Sequence, residues 1–210
     1  MESLSSWFCS VKKKRKKMSL PFYIVDVFAD KKYAGNQLAV FLEAENLSSE
    51  EMQQIAREIN FAESTFVTKL DKENNKAEIK IFTPANEMQF AGHPIIGTSW
   101  VLINKIFDNS PENITLNVPI GPIQIHQSEE LIWLKAAQPK FWDVFSKEDF
   151  THFSNLQVSD FENQFPVQEV TTGSAFVMVG LSSKRALENL VLDKDKTDQW
   201  LKQHCKTDHR

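Results

Sequence analysis

The run Ile95-Ile96-Gly97-Thr98-Ser99-Trp100-Val101-Leu102-Ile103 is apolar on nearly every side of a helix. A helix with no polar face has to be enclosed by other structure. The run is too short to cross a bilayer, so the enclosure must be protein, and the strand-like segments on either side of it supply a sheet. The residues just ahead of it are Phe90-Ala91-Gly92-His93-Pro94. Pro94 suits the first helical position, where a backbone N–H has no intrahelical partner. The free N–H groups of that first turn, backed by the positive end of the helix dipole, form a ready site for an anion. Upstream, Asn60-Phe61-Ala62-Glu63-Ser64-Thr65-Phe66-Val67 sets one carboxylate where a loop enters a strand. Together the two features describe a site that holds a carboxylated small molecule and moves a proton with one glutamate.

The rest of the chain restricts the setting. Its 210 residues suffice for one large domain or one domain and part of another. A net charge of -4 offers nucleic acid no general attraction. Sixteen phenylalanines provide a sizeable core. Two cysteines, Cys9 and Cys205, form no disulfide framework and have no partner at metal-ligand spacing, which fits a reducing, cytoplasmic setting. No apolar run reaches the length of a membrane span. Residues 1–17 end in the basic run Lys12 to Lys17 and read as a disordered basic extension. A nuclear-import or polyanion-binding tag is the weaker reading of that run.

Along the ordered part, Phe22 to Phe28 reads as a well-buried strand, and Gln37 to Leu42 as a second strand after the turn Ala34-Gly35-Asn36. Ser48 and Glu51 make a capping box, with Leu47 and Met52 at staple spacing, for a helix whose inner face is Met52, Ile55, Ala56 and Ile59. Ser64 to Leu70 and Lys76 to Phe82 form a hairpin. In its second strand Ala77, Ile79 and Ile81 alternate with Glu78 and Lys80. Short strands follow at Ile114 to Val118, Ile123 to His126 and Leu131 to Ala136. Gln138 to Phe165 suits a connection between domains, with a short helix around Ser146 to Phe153. Val167 to Leu181 returns to strand, and Ser182 to Leu190 and Lys196 to Cys205 to helix. The organisation expected is a first unit over 18–137 and a linker with a partial second unit over 138–210.

Taken alone, each candidate residue also has an ordinary role. A glutamate at a strand edge is usually solvated. A histidine before a helix usually caps or packs. Asn36 serves either as a turn residue or as a substrate contact. Asp26 suits structural hydrogen bonding, and His126, His152, His204 and His209 share no metal spacing.

Four ordered motifs go further. They are Asp26-Val27-Phe28 with Gly35-Asn36-Gln37-Leu38-Ala39-Val40, then Ile55 through Phe66, then Phe82-Thr83-Pro84, then Phe90 through Thr98. In this order they resemble the PhzF-like family of isomerases, strongly from Leu20 to about Ile106. The resemblance implies an α+β, diaminopimelate-epimerase-like fold: two similar halves, each a barrel-like sheet around a central helix, with the active site between them. It implies a cofactor-free isomerase acting on a small carboxylated substrate. Glu63 would be the catalytic acid/base, Gly92, His93 and Asn36 would contact substrate, and no metal, nucleic acid or membrane would be involved. A homodimer is compatible with it.

Two departures stand out. Epimerases sharing the fold use paired thiols, whereas Ala91 stands at the place of the first. In addition, Thr171-Thr172-Gly173-Ser174-Ala175 looks like the second half's glycine-rich motif but lacks its Asp-Pro, and the strand-like Phe176 to Val179 follows it. It reads as an earlier strand of the second half, so the chain is expected to be C-terminally truncated, ending before that motif and before the strand that closes the first half. The alternative to an enzyme is therefore a catalytically dead, truncated family member acting through protein contacts.

Overall fold

The computed structural model describes residues 19–129 and 131–205. The Lys12 to Lys17 run, and with it the reading of a disordered extension, lies outside these residues. The chain runs β1 Phe22–Val27, β2 Asn36–Phe41, α1 Ser49–Ile59, β3 Glu63–Asp71, β4 Lys76–Phe82, β5 Glu87–Met88 and α2 Gly92–Val101. A π-helical turn, Leu102–Ile106, extends α2, and β6 Asn113–Val118, β7 Gly121–Ser128 and β8 Leu131–Leu134 follow.

These strands form one mixed sheet in the order β1-β2-β3-β4-β6-β7-β8, with β5 on β4. The β2–β3 and β4–β6 pairs are parallel and the other pairs antiparallel. The sheet curls around α2, which packs against β1 and β2 from one edge and β8 from the other. Pro94, Ile95, Thr98, Val101 and Leu102 are all buried there. The all-round apolarity of this run is thus resolved as a half-barrel with a helical axis. Gly97 sets how close the wall can come. A Cβ at that position would lie 2.7 Å from both Leu38 Cδ2 and Val27 Cγ2, closer than atoms pack in a protein interior.

The other face of the sheet carries α1. Along β2, Leu38 and Val40 join the core around α2, while Ala39 and Phe41 join a second core with Met52, Ala56, Phe66 and Phe82. Phe22, Phe41, Phe66 and Phe82 form a continuous aromatic row, with centroids 5.3, 4.9 and 5.6 Å apart. The capping box of α1 is formed as the sequence specifies. Ser48 Oγ accepts from the Glu51 N–H at 3.2 Å, and Glu51 Oε2 accepts from the Ser48 N–H at 2.9 Å.

Three details differ from the sequence reading. β1 is buried on one face only, with Phe22 49% and Ile24 57% exposed. As an edge strand it has α2 on one side and little on the other, which an unbroken apolar run does not reveal. α2 begins at Gly92 with Ala91 as N-cap, so Pro94 is the third helical residue rather than the first. Its missing N–H is still no loss there, because that turn has no acceptor for it. The helix also widens into a π turn from Leu102, where the Phe107 N–H reaches the Leu102 carbonyl at 2.7 Å.

A smaller three-stranded sheet follows, in the order β11-β10-β9, built from β9 Lys140–Phe145, β10 Val167–Thr171 and β11 Ala175–Met178. With it go α3 Lys147–Thr151, a 3-10 turn Val158–Asp160, α4 Lys184–Glu188 and α5 Lys194–His204. Phe150, Phe153, Leu156, Phe161 and Val167 form its core, against which Trp200 of α5 packs. β9 arises within the stretch whose weak periodicity suits a connection.

Candidate active site

The parallel β2–β3 pair sets Glu63 opposite Leu38, at the end of the sheet where α2 also begins. Glu63 opens β3 because α1 stops four residues earlier, at Ile59. Its C-cap, Asn60, turns the chain in a left-handed conformation (φ 57°). His93 is the second residue of α2. A buried hydrogen bond of 2.8 Å between the Thr65 and Thr98 hydroxyls ties β3 to α2 just behind these two side chains. Thr65 and Thr98 lie inside recognisable motifs, yet their pairing is invisible in sequence. The available signal is that each is a hydroxyl residue beside a serine within a segment otherwise read as buried.

Glu63 Oε2 lies 3.3 Å from His93 Nε2, with the two side chains 18% and 11% exposed. The distance is that of an ion pair, but the alignment is not that of a hydrogen bond. Both atoms are buried and have no hydrogen-bond partner. On the far side of the ring, Asn36 Nδ2 lies 3.3 Å from His93 Nδ1. Asn36 opens β2, so three chain segments converge on the imidazole.

Burial disfavours charge on both groups. It raises the Glu63 carboxyl above its ordinary value and lowers the His93 imidazole, a shift that the Gln37 backbone partly opposes. A carboxyl raised in this way moves toward the pH at which a general base both takes and returns a proton. Gly92 stands exposed at the helix start, and a Cβ there would meet nothing within 4 Å. The helix start next to His93 is therefore open at Gly92.

The structure thus brings together Glu63, His93 and Asn36, with Gly92 at the rim. Asp26 is occupied structurally, its Oδ2 accepting from the Tyr33 N–H at 2.8 Å. His126 bonds Asn113 and His204 stacks on Trp200. Among the described residues, no group of three or more His, Cys, Asp or Glu side chains is placed to hold a metal ion. Burial, with Glu169 and Asp143 adding negative field, pushes the Cys205 thiol up to about 11, so it stays protonated at neutral pH. No helix among the described residues is long and apolar enough to cross a membrane.

A cavity of about 770 Å³ lies elsewhere. Phe150, Phe153, Gly173, Ser174, Phe176 and Trp200 are among the residues that line it. Neither Glu63 nor His93 borders it. Thr172 through Ser174 is the hairpin turn between β10 and β11, followed by strand, as the sequence indicates.

Comparison with known proteins bears on the family and the fold. The family model described as phenazine biosynthesis-like protein matches residues 25–209. The trans-2,3-dihydro-3-hydroxyanthranilate isomerase of Pseudomonas aeruginosa is 34% identical over 174 residues, covering 80% of this chain and 60% of its own length. A crystal structure of a PhzF-family phenazine biosynthesis protein from Bacillus anthracis superposes with a TM-score of 0.74 at 28% identity, over 89% of this chain and 64% of that one. A probable proline racemase from Agrobacterium radiobacter shares the fold at 11% identity, with a TM-score of 0.51 over 77% of this chain and 52% of its own. The chain spans about 60% of the length of the curated isomerase it matches. Its half-barrel around a central helix, its ordered motifs and these matches make the chain a member of the phenazine biosynthesis-like (PhzF) family.

Proposed function

We propose that this chain carries the acid/base side of a cofactor-independent isomerase site, with Glu63 as the single proton carrier. The observation behind this reading is the pair of buried atoms, Glu63 Oε2 and His93 Nε2, which sit 3.3 Å apart with no partner, beside the open space at Gly92. Buried polar atoms are nearly always satisfied in a folded protein. Two of them side by side, next to an open helix start, are poised for a ligand.

In the proposed reaction, the Glu63 carboxylate removes a proton from one carbon of the substrate. The C–H electron pair shifts into the adjoining π system and is protonated at another carbon by the same carboxyl group. Glu63 ends as it began, and no electrons enter or leave. His93, held at Nδ1 by Asn36, positions the carboxyl group and hydrogen-bonds the substrate. The N–H groups at Gly92 and His93 would receive the substrate carboxylate. Relatives named trans-2,3-dihydro-3-hydroxyanthranilate isomerase point to a small cyclic, unsaturated carboxylic acid as the substrate class.

The test is isotopic. The chain is incubated with trans-2,3-dihydro-3-hydroxyanthranilate in D₂O and the product is analysed by mass spectrometry. Solvent deuterium should appear in the product, and Glu63→Gln should slow its formation by about 10²–10⁴-fold, the usual contribution of a positioned acid/base. Turnover that survives this substitution would remove Glu63 from the mechanism.

A further inference from the structure

Helix α2 begins without a cap of its own. Ala91, its N-cap, has no side chain able to accept a hydrogen bond, and the first-turn bond from the Ile95 N–H to the Ala91 carbonyl is long, at 3.4 Å. A helix start of this kind is held by its surroundings, since its orphan groups lack a local partner. One tie to the residue just ahead of the N-cap comes from 84 residues away: Ser174 Oγ donates to the Phe90 carbonyl at 2.8 Å.

The neighbouring residue presses on the same point. A Cβ at Gly173 would lie 3.0 Å from the Phe90 ring and 3.1 Å from Ile120 Cδ1, and the φ of Gly173 is +142°, which side-chain-bearing residues rarely adopt. The turn itself is fixed by the Gly173 N–H donating to Thr171 Oγ1 at 3.0 Å, and by the Thr171–Ala175 pairing that closes the hairpin. Phe90 is in turn locked into the core around α2, only 8% exposed. Two residues further on stands Gly92, then His93.

We propose that Ser174, presented by the Gly173 turn, is a positioning residue that sets the register of the α2 start, and through it the placement of the Gly92 and His93 N–H groups and of the His93 ring against Glu63. This rests on the isomerase reading only for its catalytic consequence. The smaller sheet thereby acts on the site from outside, through one hydroxyl and one close backbone approach.

The experiment separates the two claims. In ¹H–¹⁵N spectra of the intact chain, Ser174→Ala should shift the Gly92 and His93 amides while leaving those of α1 in place, and Ser174→Thr should restore them. With anthranilate as an unreactive probe, Ser174→Ala should weaken binding several-fold, seen as a rise in KM more than a fall in kcat where turnover is measurable. Should Ser174→Ala fail to fold, Gly173→Ala keeps the hydroxyl but drives a methyl toward the Phe90 ring, and should displace the same two amides. Unchanged Gly92 and His93 amides in a folded Ser174→Ala variant would overturn the proposal. Shifted amides in a chain that neither binds anthranilate nor turns over substrate would uphold the positioning role and count against the isomerase reading.

Discussion

At the scale of single residues, burial disfavours the charged forms of both Glu63 and His93, and this makes stability depend on pH. The Glu63 carboxyl titrates above its ordinary 4.5 in the folded chain. Just above that pH the folded state binds more protons than the unfolded state, so stability falls as pH rises until the folded value is passed. Glu63→Gln removes the penalty. The variant should melt higher than the native chain at pH 7 and match it at pH 3, where both side chains are neutral. His93 runs the other way. Its folded value lies below 6.5, so stability drops as pH falls from about 6.5 toward that value, and His93→Gln should flatten this limb. Melting temperatures of the three chains between pH 3 and 8 check both signs. A functional residue that opposes stability in this way is common at catalytic sites.

At the scale of elements, the site depends on how β3 and α2 are joined. The Thr65–Thr98 hydroxyl pair is fully buried. Thr65→Val leaves the buried Thr98 hydroxyl without this partner, at a cost of about 1–3 kcal/mol; Thr98→Val should cost less, because Thr65 Oγ1 can still donate to the Ala39 carbonyl, 3.5 Å away, and replacing both should cost less than the sum. Denaturant unfolding of the single and double variants measures that coupling; additive losses would show that the pair does not join the two elements. The same holds on a smaller scale for α1, where Ser48→Ala should cost about 1 kcal/mol by removing its cap. Helix α1 reaches the Thr83–Pro84 loop through Gln53 Nε2, 2.9 Å from the Thr83 carbonyl, and Arg57 Nε, 3.4 Å from the Pro84 carbonyl. Fraying of α1 should therefore reach that motif as well.

Across the whole molecule, apolar surface is unevenly covered. On the smaller sheet, Phe141, Val144, Phe176 and Met178 are 56–64% exposed, and the register brings Val170 beside both Phe141 and Phe176. Leu131 and Trp133 stand exposed on β8, a terminal strand of the larger sheet. Open edges and contiguous apolar faces favour association. Sedimentation should show self-association that grows with protein concentration, together with binding of an apolar fluorescent dye. Phe141→Lys with Phe176→Lys should reduce both; unchanged association would place the contact on another surface, with the β1 and β8 edges next to be tested.

The sequence determined what local periodicity and spacing can carry. The capping box announced α1, alternation announced the β3–β4 hairpin, and an apolar run with no polar face required an enclosed α2. Ordered motifs marked Glu63, Gly92, His93 and Asn36 as a set, because in that order they resemble one family. Tertiary structure alone decided the rest, since those facts concern residues far apart in the chain. Whether β1 was buried on one face or two depended on its place at the sheet edge. That Glu63 and His93 would meet with neither satisfied depended on β3 and α2 ending side by side, and that Ser174 would hold the helix start depended on a fold that brings together residues 84 positions apart.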